Sequence, residues 1–182
     1  MRDLVITQNL TVDGVVEATD DWFATAGEDD PEVDAALAAQ RDASDGFLVG
    51  RETFVGMWDF WGPKTDDTTG VTAHLNRVAK YVVSSTLDDP GWANSEVLRG
   101  DLRAAIGDIT ARPGGDIVCT GSIRLCHDLL AMDLVDELRL FTYPYVRGHG
   151  RRLFEGAMSQ RWMPTEVTAF PSGVVLTRLR RA

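Results

Sequence analysis

The sequence predicts an α/β fold, with a mixed, mainly parallel sheet flanked by helices and closed by a C-terminal antiparallel hairpin. Three observations carry this. Short apolar runs, such as Phe47-Leu48-Val49 and Ile117-Val118-Cys119, alternate with helix-forming segments over the first two thirds of the chain. A glycine stands at each of the two clearest strand-to-helix junctions, Gly50 and Gly121. The last third instead carries two strand-like segments separated by Pro171-Ser172-Gly173, which reads as a hairpin.

Each element can be justified in order. Leu4-Val5-Ile6, with alternation to Leu10, is the first strand. An acidic loop spans 13–31 and contains Asp20-Asp21 and Glu28-Asp29-Asp30. Pro31 suits the first turn of a helix, and 32–41 holds strong helix formers with Val33, Ala36 and Leu37 on one face. Asp45-Gly46 reads as a turn before the buried strand at Phe47 to Val49. Gly50-Arg51-Glu52-Thr53 opens a second helix ending at Met57, and 58–70 is loop-like. A helix over 71–78 and a strand over 80–83 follow, the strand ending in Ser84-Ser85-Thr86. Asp88-Asp89-Pro90-Gly91 is a turn. Asp101 caps a helix to Ala111, which Pro113-Gly114-Gly115 ends. After the strand at Ile117 to Cys119, Gly121-Ser122 leads into a helix to Met132. A strand over 137–144 and the hairpin of 166–170 and 174–179 complete the chain. No internal repeat or linker divides it, so one domain over 1–182 is expected.

Bulk properties exclude several functions. The formal charge of −10 argues against a broad nucleic-acid surface, which needs clustered Lys and Arg. It leaves room for one anionic cofactor, because a few local donors outweigh a distant, screened field. No run approaches the ~18 apolar residues of a membrane span, and Met1-Arg2-Asp3-Leu4 does not begin a secretory signal. Cys119 and Cys126 match neither a zinc nor a Cys-x-x-Cys pattern and suit a reducing, cytoplasmic compartment. His74, His127 and His149 match no metal spacing.

Three places could carry chemistry. At Gly50-Arg51-Glu52-Thr53, free N–H groups at a helix start attract phosphate, Gly50 permits close approach, and Arg51 and Thr53 add donors. Thr120-Gly121-Ser122-Ile123 repeats the same physics. Ser84 and Ser85 could receive a ribose phosphate, with Arg77 or Arg124 assisting. Taken singly, each is better read as an ordinary capped or solvated turn. Together they follow the carboxyl ends of three strands, the edge along which open α/β sheets bind ligands.

These residues resemble the dihydrofolate-reductase superfamily, and within it the bacterial branch related to the riboflavin-biosynthesis reductase domain. The anchors are Leu10-Thr11-Val12-Asp13-Gly14, Leu48-Val49-Gly50-Arg51-Glu52-Thr53-Phe54, Val82-Val83-Ser84-Ser85 and Thr120-Gly121-Ser122, then Val135 to Leu140 and Gly148 to Phe154. They span nearly the whole chain. The resemblance implies a dihydrofolate-reductase-like fold, a homodimer and NADPH as cofactor. It assigns Arg51 and Thr53 to the cofactor phosphates, Ser84 and Ser85 to the adenosine end, and Thr120, Gly121, Ser122 and Ile123 to the pyrophosphate. Thr120-Gly121 stands where classical members carry a Gly-Gly pair joined by a cis peptide, and a cis bond is expected here too.

Hydride transfer to a C=N bond also needs a proton. Gapless counting from Gly50 sets Asp34 at the place of the classical acid, in a cleft expected to be walled by Trp22, Phe54 and Trp58, with Trp61 beside them. Glu32 and Asp34 equally suit the positive end of a helix dipole. The classical entry to that helix is replaced by Asp20-Asp21-Trp22-Phe23, which weakens the case for folate. The leading expectation is an NADPH-dependent reductase of a small pterin- or pyrimidine-like heterocycle. Its rivals are a non-catalytic ligand-binding protein on the same fold and a riboflavin-pathway pyrimidine reductase. The zinc-deaminase patterns H-x-E and P-C-x-x-C do not occur in these residues.

Overall fold

The computed structural model describes residues 1–19, 22–23, 30–155 and 159–182. In chain order the elements are β1 (Leu4–Thr11), α1 (Pro31–Ala43), β2 (Ser44–Gly50), α2 (Arg51–Trp61) and α3 (Val71–Arg77). Then come β3 (Ala79–Val83), β4 (Ser95–Leu98), α4 (Leu102–Ala111), β5 (Asp116–Cys119) and α5 (Ile123–Ala131). β6 (Glu137–Tyr143), β7 (Trp162–Ala169) and β8 (Val175–Arg181) close the chain. One sheet runs β4-β3-β2-β5-β1-β6-β8-β7. Every pairing from β4 to β6 is parallel, and β8 pairs antiparallel with both β6 and β7. This is the mixed sheet with a terminal hairpin that the alternation of elements implies, on a dihydrofolate-reductase-like plan.

Period-2 alternation sorts the strands' side chains onto two faces. Leu4, Ile6, Leu48, Ile117, Cys119 and Leu138 pack against Ile106 and Ile109 of α4 and Leu125, Cys126 and Leu129 of α5. The other face holds two separate clusters. Phe141, Tyr143 and Leu176 meet Val33 of α1 and Trp22, while Phe47, Val49 and Val82 meet Phe54 of α2 and Leu75 of α3. Full burial of such side chains contributes roughly 1.5–3 kcal/mol each. Because the second face is split between α1 and the α2–α3 pair, a gap opens between the clusters.

The caps follow local chemistry. Asp30 accepts from the N–H groups of Glu32 and Val33 and so starts α1, and Asp101 accepts from Ala104 and starts α4.

The structure corrects three readings. Asp45-Gly46 is not a turn but lies within β2, beside a bulge. The Arg2 side chain explains why glycine stands there. It runs over Gly46 to bond Asp45, the Gly115 carbonyl and the Tyr81 hydroxyl, and a Cβ on Gly46 would sit 2.7 Å from its Nη2. The second helix does not stop at Met57 but runs to Trp61, where Trp58 folds over Gly62. β4 was not foreseen. Its four residues alternate only weakly and are fixed by pairing with β3.

A candidate cofactor and substrate cleft

The carboxyl ends of the parallel strands share one edge of the sheet, and the two junctions there meet. The Gly50 N–H donates to the Ser122 hydroxyl at 2.9 Å, tying the start of α2 to the start of α5. Around this link lies a cavity of about 310 Å³ lined by Gly50, Arg51, Thr53, Gly121, Ser122 and Ile123, with Arg124 and Arg151 added and Glu52 as its one carboxylate among the described residues. Two helix N-termini and three arginines therefore face one space in a chain of charge −10. Such a donor set suits a pyrophosphate or phosphate group. Gly121 has φ +71, and a Cβ there would touch the Thr53 methyl at 3.2 Å, so a side chain would both strain the turn and crowd the cavity.

The expected cis peptide at Thr120-Gly121 does not occur; no cis bond is present among the described residues. The left-handed Gly121 turns the chain instead, and Ser122 N–H and Ile123 N–H reach back to the Thr120 and Gly121 carbonyls.

Arg151 is the residue that reading the sequence missed as a ligand. It lies in the Gly148 to Phe154 anchor, but only tertiary contacts bring it to this cavity. Val16 N–H bonds the Arg151 carbonyl, Val15 bridges Arg152, and Glu17 holds the Arg151 guanidinium at 2.6 Å. Asp13 fastens the same loop by accepting from the Thr11 hydroxyl and from the N–H groups of Arg147 and Gly148, which hold its carboxyl far below the usual range. Arg124 is brought to the phosphate-sized cavity and not to the serine pair as expected.

Ser84 and Ser85 lie just beyond β3, whose Val83 pairs with Gly50, so they neighbour this cavity without lining it. The Ser84 hydroxyl accepts from the Thr86 and Leu87 N–H groups and closes its own turn, and Arg99 holds the Ser85 carbonyl at 3.0 Å.

The gap between the apolar clusters forms a second cavity of about 340 Å³, which shares Gly121 with the first. Thr7, Asn9, Phe47 and Val118 contribute from the strands, α1 supplies Leu37 and Gln40, and α2 and α3 supply Met57, Trp61, Val71 and His74. Trp22 and Phe23 stand edge to face at its rim, and Thr120 reaches it from the turn. The Thr7 hydroxyl donates to Gln40 Oε1 at 3.1 Å, which fixes the Gln40 amide beside the space.

Of the expected substrate walls, Trp22 lines this cavity and Phe54 and Trp58 do not. Phe54 is buried beside Trp92, and Trp58 packs on Trp92 with ring centres 5.0 Å apart. Trp61, one helical turn onward and expected beside them, does line the cavity. Asp34 is exposed on the first turn of α1 and lines neither cavity. Burial, with the Asp34 charge adding to it, raises the Tyr143 hydroxyl above its usual value. The α1 residues that line the cavity are Leu37, Gln40 and Arg41, one to two turns beyond Asp34. Asp20 and Asp21 lie outside the described residues. Among the described residues, the lining holds no carboxylate, and its titratable groups are Arg41 and His74. Burial, with Arg77 and Arg41 nearby, lowers the His74 imidazole below its usual value.

Comparison with known proteins bears on this cleft. The RibD C-terminal domain family matches residues 2–176. The chain belongs to that family. A *Bacillus subtilis* (strain 168) relative named as the uncharacterized protein YyaP is 27% identical over 96% of this chain and 92% of its own length. Among solved structures, a putative riboflavin biosynthesis protein from *Shewanella* sp. PV-4 superposes with a TM-score of 0.78 at 20% identity, covering 100% of this chain and 99% of its own. A pyrimidine reductase-like protein from *Corynebacterium diphtheriae* gives 0.69 at 15% identity, covering 100% and 92%. *Acinetobacter baumannii* RibD gives 0.62 at 14% identity, with 58% of that chain covered. The family is reductase-like, and the RibD-like chain described here shares its fold. No described helix is long and apolar enough to cross a membrane.

Proposed function

We propose that this RibD-like chain is an NADPH-dependent reductase of a small, flat heterocycle. The observation that supports it best is the shared wall at Gly121. A cavity with an anion's donor set abuts an aromatic cavity of heterocycle size. Arg51, Thr53, Gly121, Ser122, Ile123, Arg124 and Arg151 would hold the pyrophosphate, and Ser84 and Ser85 the adenosine end. The cofactor, when bound, supplies the hydride.

The chain supplies the rest. Trp22, Phe47 and Trp61 sandwich a planar ring and exclude water, while Asn9 and the Gln40 amide orient its polar edge. Burial and the nearby arginines hold His74 below its usual value, so this lining group takes up a proton only at mildly acidic pH and gives it up readily toward the ring. A lining of amides and hydroxyls with one lowered histidine suits an uncharged pterin- or pyrimidine-like ring. Arg41 already donates to the Thr69 carbonyl, so a substrate phosphate finds few donors in this cavity. That favours a heterocycle without the ribosyl phosphate of the riboflavin pathway.

Titration of the protein with NADPH, read by cofactor fluorescence, tests the first half. Binding in the micromolar range is expected, and none at millimolar NADPH would end the proposal. Cofactor oxidation across a panel of pterins and pyrimidines, with and without a ribosyl phosphate, tests the second half. NADPH binding without oxidation of any panel member favours a ligand-binding protein on the same fold.

A further inference from the structure

Two thiols bracket the turn that lines both cavities. Cys119 is the last residue of β5 and Cys126 lies in the first turn of α5, with Thr120, Gly121 and Ser122 between them. Both are fully buried, and their sulfurs are 3.7 Å apart in hydrogen-bond contact. The Gln8 amide on β1 donates to the Cys126 sulfur at 3.4 Å. The contact with Cys119 lowers the Cys126 thiol, with Gln8 adding to it against burial, and that contact and burial raise Cys119 well above its ordinary value. The Gln8 donor favours a thiolate at Cys126, with the Cys119 sulfur in contact to resolve it.

We infer that Cys119 and Cys126 form a reversible disulfide that switches the cofactor turn. In the first step the Cys126 thiolate attacks one oxygen of a hydroperoxide. The O–O bond breaks, the other oxygen leaves with a proton as water or alcohol, and Cys126 becomes a sulfenic acid. The Cys119 sulfur then attacks the Cys126 sulfur, losing its proton as the sulfenic oxygen leaves as water. Two thiols and one hydrogen peroxide thus give one disulfide and two waters.

The bond requires the sulfurs to close from 3.7 Å to about 2.05 Å. That draws the first turn of α5 toward the end of β5 and displaces Gly121 and Ser122 between them. Access comes from the same turn. Ser122 makes no side-chain bond to its own helix; its hydroxyl instead accepts from Gly50 across the junction. The switch requires this junction to open for peroxide to reach Cys126, and a ligand seated across both ends would hold it shut. The coupling to cofactor rests on the proposed function above, whereas the bond itself does not.

The test treats the purified full chain, reduced and native, with hydrogen peroxide. Intact mass, free-thiol count and hydrogen exchange at 120–125 are followed. A mass loss of two hydrogens, joint disappearance of both thiols, altered exchange in the turn and reversal by dithiothreitol are expected. Cys126→Ser and Cys119→Ser must each abolish the loss, and Cys126→Ala serves if the serine variant does not fold. NADPH should slow the reaction, and the oxidised protein should bind it about tenfold more weakly. The inference is overturned if both thiols persist at peroxide levels that oxidise a free-cysteine control. It is equally overturned if oxygen adds without loss of hydrogens, or if the disulfide leaves exchange and NADPH affinity unchanged. If the reduced protein binds no NADPH, the cofactor reading falls, and mass and exchange still decide the switch.

Discussion

Arg51 and Arg151 approach the phosphate-sized cavity from different parts of the chain, one at a helix start and one on a loop clamped by Glu17 and Asp13. A charge-assisted bond to phosphate contributes about 1–2 kcal/mol at an exposed site. Arg51→Ala and Arg151→Ala should therefore each weaken NADPH binding by roughly 5–30-fold, measured by fluorescence titration with the melting temperature unchanged. Asp34→Asn should leave reduction of the best panel substrate within twofold, whereas His74→Gln should lower the rate and flatten its pH profile. A large loss with Asp34→Asn would return that carboxylate to the mechanism. Lys80 makes a separate prediction. It is fully buried, its ammonium donates to the Leu75 and Val78 carbonyls at the end of α3, and burial lowers it from 10.5 to about 8. Between those values the unfolded chain binds more protons than the folded one, so stability should rise with pH across that window. Lys80→Met should remove this rise, as read from denaturant midpoints at several pH values.

At the level of strands and helices, β6 and β8 are joined by more than their ladder. Glu137 is fully buried and bonds Arg139, Arg178 and Arg180, and Arg139 continues to Asp116 on β5. Burial alone would raise the Glu137 carboxyl, but Arg139 and Arg178 outweigh it and hold it down at about 2. Its contribution is thus present above the ordinary 4.5 and is lost as pH falls toward 2. Glu137→Gln leaves the buried Arg139 with Asp116 as its one remaining carboxylate partner and should cost about 3 kcal/mol, seen as a lower chemical-denaturation midpoint at neutral pH. Asp101→Ala, which removes only the cap of α4, should cost about 1 kcal/mol by the same measurement.

Considered as one object, the sheet ends on β7, an eight-residue edge strand that is mostly exposed and carries Met163 and Val167 on its surface. Long exposed edges invite pairing with another chain. The family resemblance implies a homodimer, and we propose the C-terminal strands with the Tyr143 to Phe154 segment as its contact. Analytical ultracentrifugation should give twice the chain mass, and Val167→Lys should shift the equilibrium toward monomer. A monomer at micromolar concentration would remove the assembly from the proposal.

Much was legible in the residues before any coordinates. The apolar runs, the Asp101 cap, the Pro171-Ser172-Gly173 turn and the two glycine junctions are local signals, because a strand's period, a cap's hydrogen bond and a left-handed turn each depend on a few neighbouring residues. The pieces that went wrong depend on contacts far along the chain. Gly46 looks like a turn until Arg2 is laid across it, Trp58 leaves the cleft to Trp61 once Trp92 claims it, and Arg151 gains its place only through Asp13 and Glu17. Which face of α1 meets the cleft, hence Gln40 and not Asp34, was set by how α1 packs on β6 and β8. Spacing along a sequence carries hydrogen-bond periodicity well, but it does not carry the distances between elements that bury one group and expose the next.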